Sequence, residues 1–317
     1  MDKKYDVVSA GGVVADILVR PVEPDVFEKD TGTRVDNLSF MPGGDAQNVS
    51  ITLSQLGFKV ALSGMVGDDA FGRMIMSHTS GKGVDISHVH VSKDLQTNIT
   101  VALVRADGQR HFLSKKSCGE NYGKEHIDLA LLDETRIFSI GSMFTLKTFD
   151  GKEAAEVLKA ARERGVITSS DTGGDRYGIG FDAIKCCLPY LDYFIPSEYE
   201  IRALTGEHDI EKNCDILLGL GVKNVIIKLG RDGCFIKNSE IAKRCPTFDV
   251  APLDTTGSGD NFVAGFLSGV LEGMSFEECA MRGNACGSLN ATKLGATGAV
   301  ESVEQVLKFM KDTPLLD

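Results

Sequence analysis

The sequence has no long uninterrupted apolar run. No apolar stretch approaches the roughly 18 residues from which a membrane-spanning helix is built. A strand-like apolar run near the N-terminus is interrupted by Asp16, and it lacks the layout of a signal peptide. We therefore expect a cytoplasmic protein without a membrane span.

Basic runs are also missing. Lys and Arg total 34 against 45 Asp and Glu, the formal net charge is −11, and no basic run is interleaved with aromatics. This charge repels the backbone of nucleic acids and anionic membrane surfaces. We expect neither nucleic acid nor an anionic membrane as a partner. The net charge does not exclude a local basic cleft for a phosphate ligand.

Paired metal-ligand patterns are absent as well. The eight cysteines form no CxxC pair, and the six histidines form no HExxH motif. The cysteines stand in apolar or mixed surroundings, which is typical of reduced core thiols in a cytoplasmic protein rather than of a disulfide framework. The scattered histidines are interpreted as surface or packing residues.

Three common phosphate-binding motifs do not occur. The chain has no GxxxxGK[ST] loop, no HRD-type catalytic loop and no strand–GxGxxG–helix unit near its beginning. A nucleotide site on this chain would therefore have to use another phosphate-binding segment.

One segment fits that description, DTTGSGD at residues 254–260, which directly precedes an apolar helical pattern. A Gly-Ser-Gly turn at a helix N-terminus exposes unpaired N–H groups beside the positive end of the helix dipole, and this combination binds anions. The alternative is a capped helix start, with Thr255, Thr256 or Ser258 as the cap and Asp260 complementing the dipole.

Strand-like runs rich in Val and Ile alternate with helical patterns, which predicts an α/β fold with a parallel sheet covered on both faces. Residues 17–41 and 91–114 break this rhythm and are predicted as strands outside the main sheet. In the second region VALVR and RHFLS flank a turn that contains Gly108, a hairpin signal. Another antiparallel element and three helices are predicted after it near the end of the chain. No linker divides the chain, so residues 1–317 are predicted as a single domain.

DTTGSGDNFVAGFL resembles the C-terminal signature of the ribokinase-like sugar kinases, the PfkB family, and PGGDAQNVSITLSQLG at residues 42–57 resembles the N-terminal one. Weaker similarity, which includes GQRHFL, PSEYE and IIKLGRDG, extends over nearly the whole chain. The resemblance implies a three-layer fold with a central mostly parallel sheet and a small β-sheet lid formed by residues 17–41 and 91–114. It also implies a carbohydrate kinase that uses ATP and Mg²⁺.

The resemblance assigns the catalytic roles to the glycine-rich turn. Phosphoryl transfer requires mostly positioning and charge stabilisation from the protein. The backbone N–H groups of Gly257, Ser258, Gly259 and Asp260 are expected to face the transferring phosphoryl group as an anion hole. Asp260 is the implied base, which takes the proton from the attacking hydroxyl group.

Acceptor binding is implied for Asp16, Gly43, Gly44 and Asn48, which match the aspartate, the glycine pair and the asparagine of the family. A missing Cβ at the glycines lets a sugar approach the backbone. Val14 departs from the pattern, because ribokinase-type members usually carry asparagine there. One sugar hydroxyl contact is therefore missing or replaced by an apolar one.

Nucleotide binding is implied for the strand-end segment with Lys228, Gly230 and Gly233, which a simple turn with a solvated lysine would also explain. Glu200 is kept from an Asn-x-x-Glu motif that organises Mg²⁺ through water. Ser197 replaces the asparagine of that motif, and its hydroxyl can still bond a metal-bound water.

Two further assignments follow from the resemblance. Asn284 lies near the expected adenine pocket, with a helix-surface role as the alternative. Asp254 and the loop at Gly295 and Ala296 stand where several members hold a monovalent cation such as K⁺.

The leading hypothesis is ATP-dependent phosphorylation of a hydroxymethyl group on an unphosphorylated sugar. Asp16 and residues 43–48 and 142–146 include no Arg or Lys cluster, which favours a neutral acceptor over a sugar phosphate. A nucleoside kinase is the alternative, because Val14 and the segment SMFTL at residues 142–146 are apolar. A metabolite-binding protein without catalysis is a third hypothesis. The lid is expected to close over the acceptor and to pair two subunits in a homodimer.

Overall fold

Thirteen strands and ten α-helices occur in the part of the chain that the computed structural model describes, residues 3–26, 28, 32–107 and 109–316. The strands are β1 Tyr5–Gly11, β2 Val14–Arg20, β3 Asn37–Gly43, β4 Val60–Gly67, β5 Val89–Ser92, β6 Asn98–Val104, β7 Arg110–Lys115, β8 Thr135–Met143, β9 Ile167–Thr172, β10 Tyr193–Phe194, β11 Asn224–Lys228, β12 Cys234–Lys237 and β13 Ala242–Cys245. The helices are α1 Asp45–Gln55, α2 Ala70–Gly81, α3 Cys118–Asn121, α4 Lys152–Glu163, α5 Phe181–Ile184, α6 Glu198–Thr205, α7 Ile210–Gly219, α8 Ser258–Leu271, α9 Phe276–Ala291 and α10 Val303–Asp312.

Nine strands form a large sheet in the order β13-β12-β11-β10-β9-β8-β1-β4-β5. The seven strands from β11 to β5 pair in parallel, and β12 and β13 add an antiparallel edge. Both faces of the sheet are covered. Val7 of β1 packs in one cluster with Val49 of α1 and Phe266 of α8, whereas its neighbour Val8 packs in another with Leu158 of α4. The predicted fold class is confirmed.

Four strands form a separate small sheet in the order β3-β2-β6-β7, in which β2 and β6 are parallel and the other two pairs are antiparallel. The sheet extends beyond the predicted segment 17–41, because β2 begins at Val14 and β3 ends at Gly43. Residues 91–92 of the other segment belong instead to β5 of the large sheet, where Val91 pairs with Val66. Residues 27, 29–31 and Gly108, which fall in the two predicted segments, lie outside the described residues.

All eight cysteines lie in the described part of the chain and are free thiols. Seven are buried and Cys186 is exposed, in accord with the thiol chemistry predicted from the sequence. None of the helices described here combines the length and the apolar content needed to cross a membrane.

The carboxyl ends of the central parallel strands and the beginnings of α1 and α8 meet at one edge of the large sheet. Binding sites in open parallel sheets lie at this edge, where neighbouring connections leave in opposite directions. Strands β1, β8, β9 and β11 end there, so the loops that follow them bring polar side chains from distant parts of the chain together.

Candidate active site

The turn before α8 is built around Gly257. It is the helix N-cap, with φ 72° and ψ 0°, and no side chain caps the helix. A Cβ at Gly257 would lie 2.4 Å from the carbonyl oxygen of Ala296, so only glycine fits this close approach. The caps considered in the alternative interpretation, Thr255, Thr256 and Ser258, are therefore wrong.

A large cavity of about 600 Å³ lies beside this turn. Nine of the residues selected from the sequence line it: Ser197, Glu200, Lys228, Gly230, Gly233, Ser258, Gly259, Asp260 and Asn284. Gly257 is not among the lining residues, because it packs on Ala296.

Three carboxylates meet at the floor of the large cavity. One oxygen from each of Asp45, Asp171 and Asp260 lies within 4.8 Å of the others. Burial, followed by the charges of Asp45 and Asp171, raises the pKa of Asp260 well above its ordinary value. Burial also raises the pKa of Asp171 to about 7, against the opposing charge of Lys228.

Lys228 is the cation that faces this cluster. Its Nζ lies 3.7 Å from Asp171 Oδ2, and a Cβ at Gly259 would lie 3.4 Å from the same nitrogen. Its side chain is only 13% exposed, so the alternative of a solvated turn lysine is wrong. The ammonium group therefore stands between the carboxylates and the glycine-rich turn.

Asn48 contacts the same cluster from α1. Its Nδ2 donates a hydrogen bond of 2.7 Å to Asp260 Oδ2. Asn48 Oδ1 is buried and has no hydrogen-bond partner in the described structure. Asn48 lines neither the large cavity nor the small one described next, and its amide group is committed to Asp260.

A small cavity of about 80 Å³ lies on the other side of Asp45, which lines both cavities. Gly44 and Val14 line it as well. Asp16 and Gly43 do not line it, but they are in contact, since a Cβ at Gly43 would lie 2.1 Å from Asp16 Oδ2. Burial raises the pKa of Asp16 to about 6, against the opposing charge of Lys116.

Of the three apolar residues in the segment SMFTL, Leu146 alone lines this cavity. Ser142, Thr145 and Leu146 line the cavity, whereas Met143 and Phe144 are fully buried in the core. Ser142 and Phe144 have positive φ values of 59° and 75°, and this strained backbone turns the two large side chains inward. The apolar surface expected from SMFTL is therefore reduced to Leu146.

Glu200 is fixed by its own helix. Its Oε2 accepts hydrogen bonds from the N–H of Ser197 at 2.8 Å and from Thr172 Oγ1 at 2.9 Å, and Ser197 caps α6 in return. Ser197 thus performs the helix-capping function of a capping box. The second oxygen of Glu200 is the one left to serve a ligand in the cavity.

Asn284 is buried and does not lie on the helix surface. Its Nδ2 donates to the carbonyl oxygens of Cys245 and Pro246 at 3.2 and 2.9 Å. These bonds fix the chain beyond β13 along the wall of the large cavity, which corrects the helix-surface alternative.

Asp254 lies outside both cavities. Its carboxylate accepts hydrogen bonds from the N–H and Oγ1 of Thr256 and from the N–H of Gly295, and Arg110 of the small sheet lies 3.5 Å away. Burial favours a higher pKa for Asp254, but the bonds from Gly295 and Thr256 outweigh it and hold the pKa below its ordinary value. The carboxylate is thus ionised and links the turn at 254–260 to the loop at Gly295.

The residues of the two cavities that sequence reasoning missed include four charged ones on which the site depends, Asp45, Asp171, Lys116 and Arg176. Asp45 directly follows the glycine pair, and Asp171 ends the run VITSSD, so both carried a signal as polar residues at a strand end or helix start. Lys116 and Arg176 carried none, because only the tertiary structure brings their segments together.

Comparison with known proteins identifies the family of this chain. The sequence model of the "pfkB family carbohydrate kinase" matches residues 6–303. The chain belongs to the PfkB family of carbohydrate kinases. This kinase is 27% identical to a probable fructokinase-2 of Arabidopsis thaliana, over 98% of its own chain and 97% of the relative.

Solved structures agree with the family. A ribokinase from Thermotoga maritima superimposes with a TM-score of 0.85 at 27% identity, covering 97% of this kinase and 100% of the ribokinase. An Arabidopsis thaliana ribokinase complexed with ribose and ATP gives a TM-score of 0.81 at 25% identity, covering 98% and 99% of the two chains. The PfkB family membership predicted from the two sequence signatures is confirmed.

Proposed function

We propose that this kinase transfers the γ-phosphoryl group of ATP to a hydroxymethyl group of an unphosphorylated sugar. The observation that carries the proposal is the position of Asp45 and Asp260. Asp45 lines both cavities, and Asp260 lies within 4.8 Å of it on the side of the large cavity. A nucleotide in the large cavity and a sugar in the small one would meet at these two side chains.

In this proposal Asp260 is the base. It accepts the proton of the attacking hydroxyl group as the oxygen–phosphorus bond forms, and its raised pKa makes it a better proton acceptor than an exposed aspartate. Asn48 holds the carboxylate in place through its bond to Oδ2. The N–H groups at the start of α8, residues 257–260, stabilise the charge on the phosphoryl oxygens.

The large cavity fits a nucleoside triphosphate. Ser258 Oγ is buried there without a hydrogen-bond partner in the described structure, as expected of a donor that awaits a ligand. Lys228 supplies positive charge for phosphate oxygens. Gly230 leaves open space in which a ligand can approach the backbone, whereas the missing Cβ of Gly233 makes room for the carbonyl oxygen of Cys245. Asn284 supports the far wall.

Magnesium would find oxygen donors in the same cavity. Glu200, acting through water, and Asp171 are the residues that would hold it, and carboxylates are the ligands that this hard cation prefers. When bound with the nucleotide, the ion neutralises charge on the phosphates. A monovalent cation near Asp254 is retained as a hypothesis, for which activity in K⁺ against activity in tetramethylammonium is the measurement.

On the acceptor side we assign hydroxyl recognition to Asp16, Gly43 and Gly44, whereas Asn48, whose amide group bonds Asp260, acts through that carboxylate. Asp16 and Gly43 contact each other, and Gly44 forms part of the small cavity. Because the relatives are named fructokinases and ribokinases, ketohexoses and pentoses are the first acceptors to test. A nucleoside is less favoured than a sugar, because the small cavity is about 80 Å³ and Val14 and Leu146 are the apolar side chains that line it, while Met143 and Phe144 face the core.

The proposal is tested by release of ADP from ATP and Mg²⁺ with a panel of sugars and nucleosides. We expect substrate-dependent release with at least one unphosphorylated sugar or sugar derivative and none with nucleosides. Turnover confined to nucleosides, or no turnover with any acceptor by protein that is folded and binds ATP, would contradict it.

A further inference from the structure

Two cations line the small cavity, although the segments from which a neutral acceptor was expected contain none. Lys116 directly follows β7 of the small sheet, and Arg176 lies in the loop after β9 of the large sheet. Asn98, Thr145 and Tyr177 line the cavity with them. Positive charge therefore reaches the acceptor site from two separate parts of the fold.

Within the described part of the chain, neither cation forms an ion pair. Among the described residues, no carboxylate oxygen lies within 4.0 Å of either side chain, and the hydrogen bond found for Lys116 is a long one of 3.5 Å to Thr100 Oγ1. Burial, and next the charge of Arg176, lowers the pKa of Lys116. Asp16, Asp45 and Glu120 offset the repulsion between the two cations only from a distance, so an anion bound between Lys116 and Arg176 would relieve the repulsion that is left.

We propose that the acceptor is a sugar acid, whose carboxylate binds Lys116 and Arg176 while its terminal hydroxyl group points to Asp45 and Asp260. The inference deepens the proposed function and rests on it. The hydroxyl oxygen forms a bond to the γ-phosphorus of ATP, the bond to the β,γ-bridging oxygen breaks, and the hydroxyl proton passes to Asp260. The carboxylate is unchanged, and the products are the phosphorylated sugar acid, ADP and a proton.

The surroundings favour a carboxylate over a phosphate as the bound anion. Asp16 and Asp45 already act on Lys116 with negative charge, so the site balances one added charge better than two. A small cavity of about 80 Å³ also favours the smaller, planar group. Arginine binds a carboxylate through two parallel hydrogen bonds, and lysine adds a point charge.

The test compares matched acceptors. Aldonates and ketoaldonates of five and six carbons are assayed beside the corresponding neutral sugars and sugar phosphates, with ATP and Mg²⁺. We expect the best acid to exceed its neutral counterpart in kcat/KM by at least about 10-fold, since hydrogen bonds to charged groups supply that much. A preference for the neutral sugar or for the sugar phosphate would overturn the proposal.

Variants of the two cations test whether these side chains cause the preference for the acid. Lys116→Met and Arg176→Gln are each expected to lower the acid-to-neutral ratio of kcat/KM by about 10- to 100-fold. Lys115→Met is the matched control, because this exposed neighbour ends β7 outside the cavity, and its ratio should stay at the parent value. Equal loss for acid and neutral acceptors in both variants would overturn the assignment of the two cations.

Binding gives a second readout that does not depend on turnover. In the Asp260→Asn background, titration calorimetry with the best acid should show an affinity that Lys116→Met and Arg176→Gln each weaken, and thermal midpoints confirm that the variants are folded. Failure of this inference is distinct from failure of the proposed function. Turnover of neutral sugars without acids contradicts the inference alone, whereas no sugar turnover at all contradicts both.

Discussion

Asn48 Nδ2 of α1 donates a 2.7 Å hydrogen bond to Asp260 Oδ2 of α8, and this bond joins the two family signatures at the floor of the large cavity. Burial and two neighbouring carboxylates act against the charged form of Asp260, while the bond from Asn48 favours it. The amide group thus orients the proposed base and partly opposes the rise in its pKa.

Asn48→Ala tests this relationship. We expect kcat to fall by about 10- to 100-fold, because hydrogen bonds to charged groups contribute roughly 1.5–3 kcal/mol, with KM for the acceptor changed by less than about threefold. The matched control is Thr52→Val, which removes the bond from Thr52 Oγ1 to Asn261 Oδ1 between the same two helices. That control should lower the thermal midpoint and leave kcat near the parent value. A raised KM with an unaltered kcat in Asn48→Ala would instead make Asn48 an acceptor-binding residue.

A second prediction concerns the small sheet as a lid. Arg110 of β7 contacts Thr256 at 3.3 Å and Asp254 at 3.5 Å across the opening of the site. We expect saturating acceptor with a nonhydrolysable ATP analogue to slow hydrogen exchange in the small sheet, because closure excludes water from the transfer. Arg110→Ala should weaken this protection and raise the acceptor KM by about 2- to 5-fold, the size of an exposed ion pair.

Arg105→Ala is the control for the lid experiment, since Arg105 lies on the same hairpin and its side-chain contacts among the described residues are local, with Asp107 and Gln109. Its exchange pattern should match that of the parent. If neither ligand slows hydrogen exchange in the small sheet, the prediction that this sheet closes over the site is wrong.

The sequence predicts the fold more completely than it predicts the site. The alternation of strands and helices and the two signatures predicted the large sheet and the turn at 254–260, because both are local patterns. Asp171, Lys116 and Arg176 were missed, because their approach depends on the strand order and on the placement of the small sheet. The apolar composition of SMFTL suggested a binding surface, but positive φ values at Ser142 and Phe144 turn the Phe144 side chain into the core.

The turn at SMFTL gives a prediction about pH and stability. Asp150 Oδ2 accepts a 2.8 Å hydrogen bond from the N–H of Leu146, and burial raises the pKa of Asp150 to about 7. In the unfolded chain an aspartate has a pKa of about 4. The folded protein therefore binds this proton more tightly, so the contribution of Asp150 to stability is greatest at low pH and declines as pH rises from about 4 to about 7.

Asp150→Asn removes that titration. Between pH 6 and pH 8 the parent should lose about 1 kcal/mol more unfolding free energy than the variant does. Urea unfolding at the two pH values measures the difference. Parallel pH profiles for the two proteins would mean that Asp150 is ionised at both pH values in the folded state.

The homodimer remains a prediction, and the small sheet carries an exposed apolar surface on which it can form. Strand register places Leu38 and Val19 on the face opposite to Asp16 and beside the row that contains Leu113. Leu38 is 69% exposed and Leu113 is 49% exposed. Burial of such residues between subunits is favourable.

Leu38→Asp should therefore shift the protein from dimer to monomer in light scattering coupled to gel filtration. Leu307→Asp is the control, because Leu307 is 48% exposed on α10, away from the small sheet. A monomeric parent, or a Leu38→Asp variant that stays dimeric, would contradict pairing through this sheet.

The central claim is that Asp260 takes the proton of the acceptor, and the turnover of Asp260→Asn tests it most directly. The variant keeps the side-chain shape and the N–H groups of the turn, so nucleotide binding should persist while kcat falls by roughly 10²–10⁴. Glu304→Gln, which removes a first-turn carboxylate from α10, controls for loss of a dipole interaction of about 0.3–1 kcal/mol. A rate for Asp260→Asn within about threefold of the parent would contradict the assignment, because Asp260 would then only complement its helix dipole.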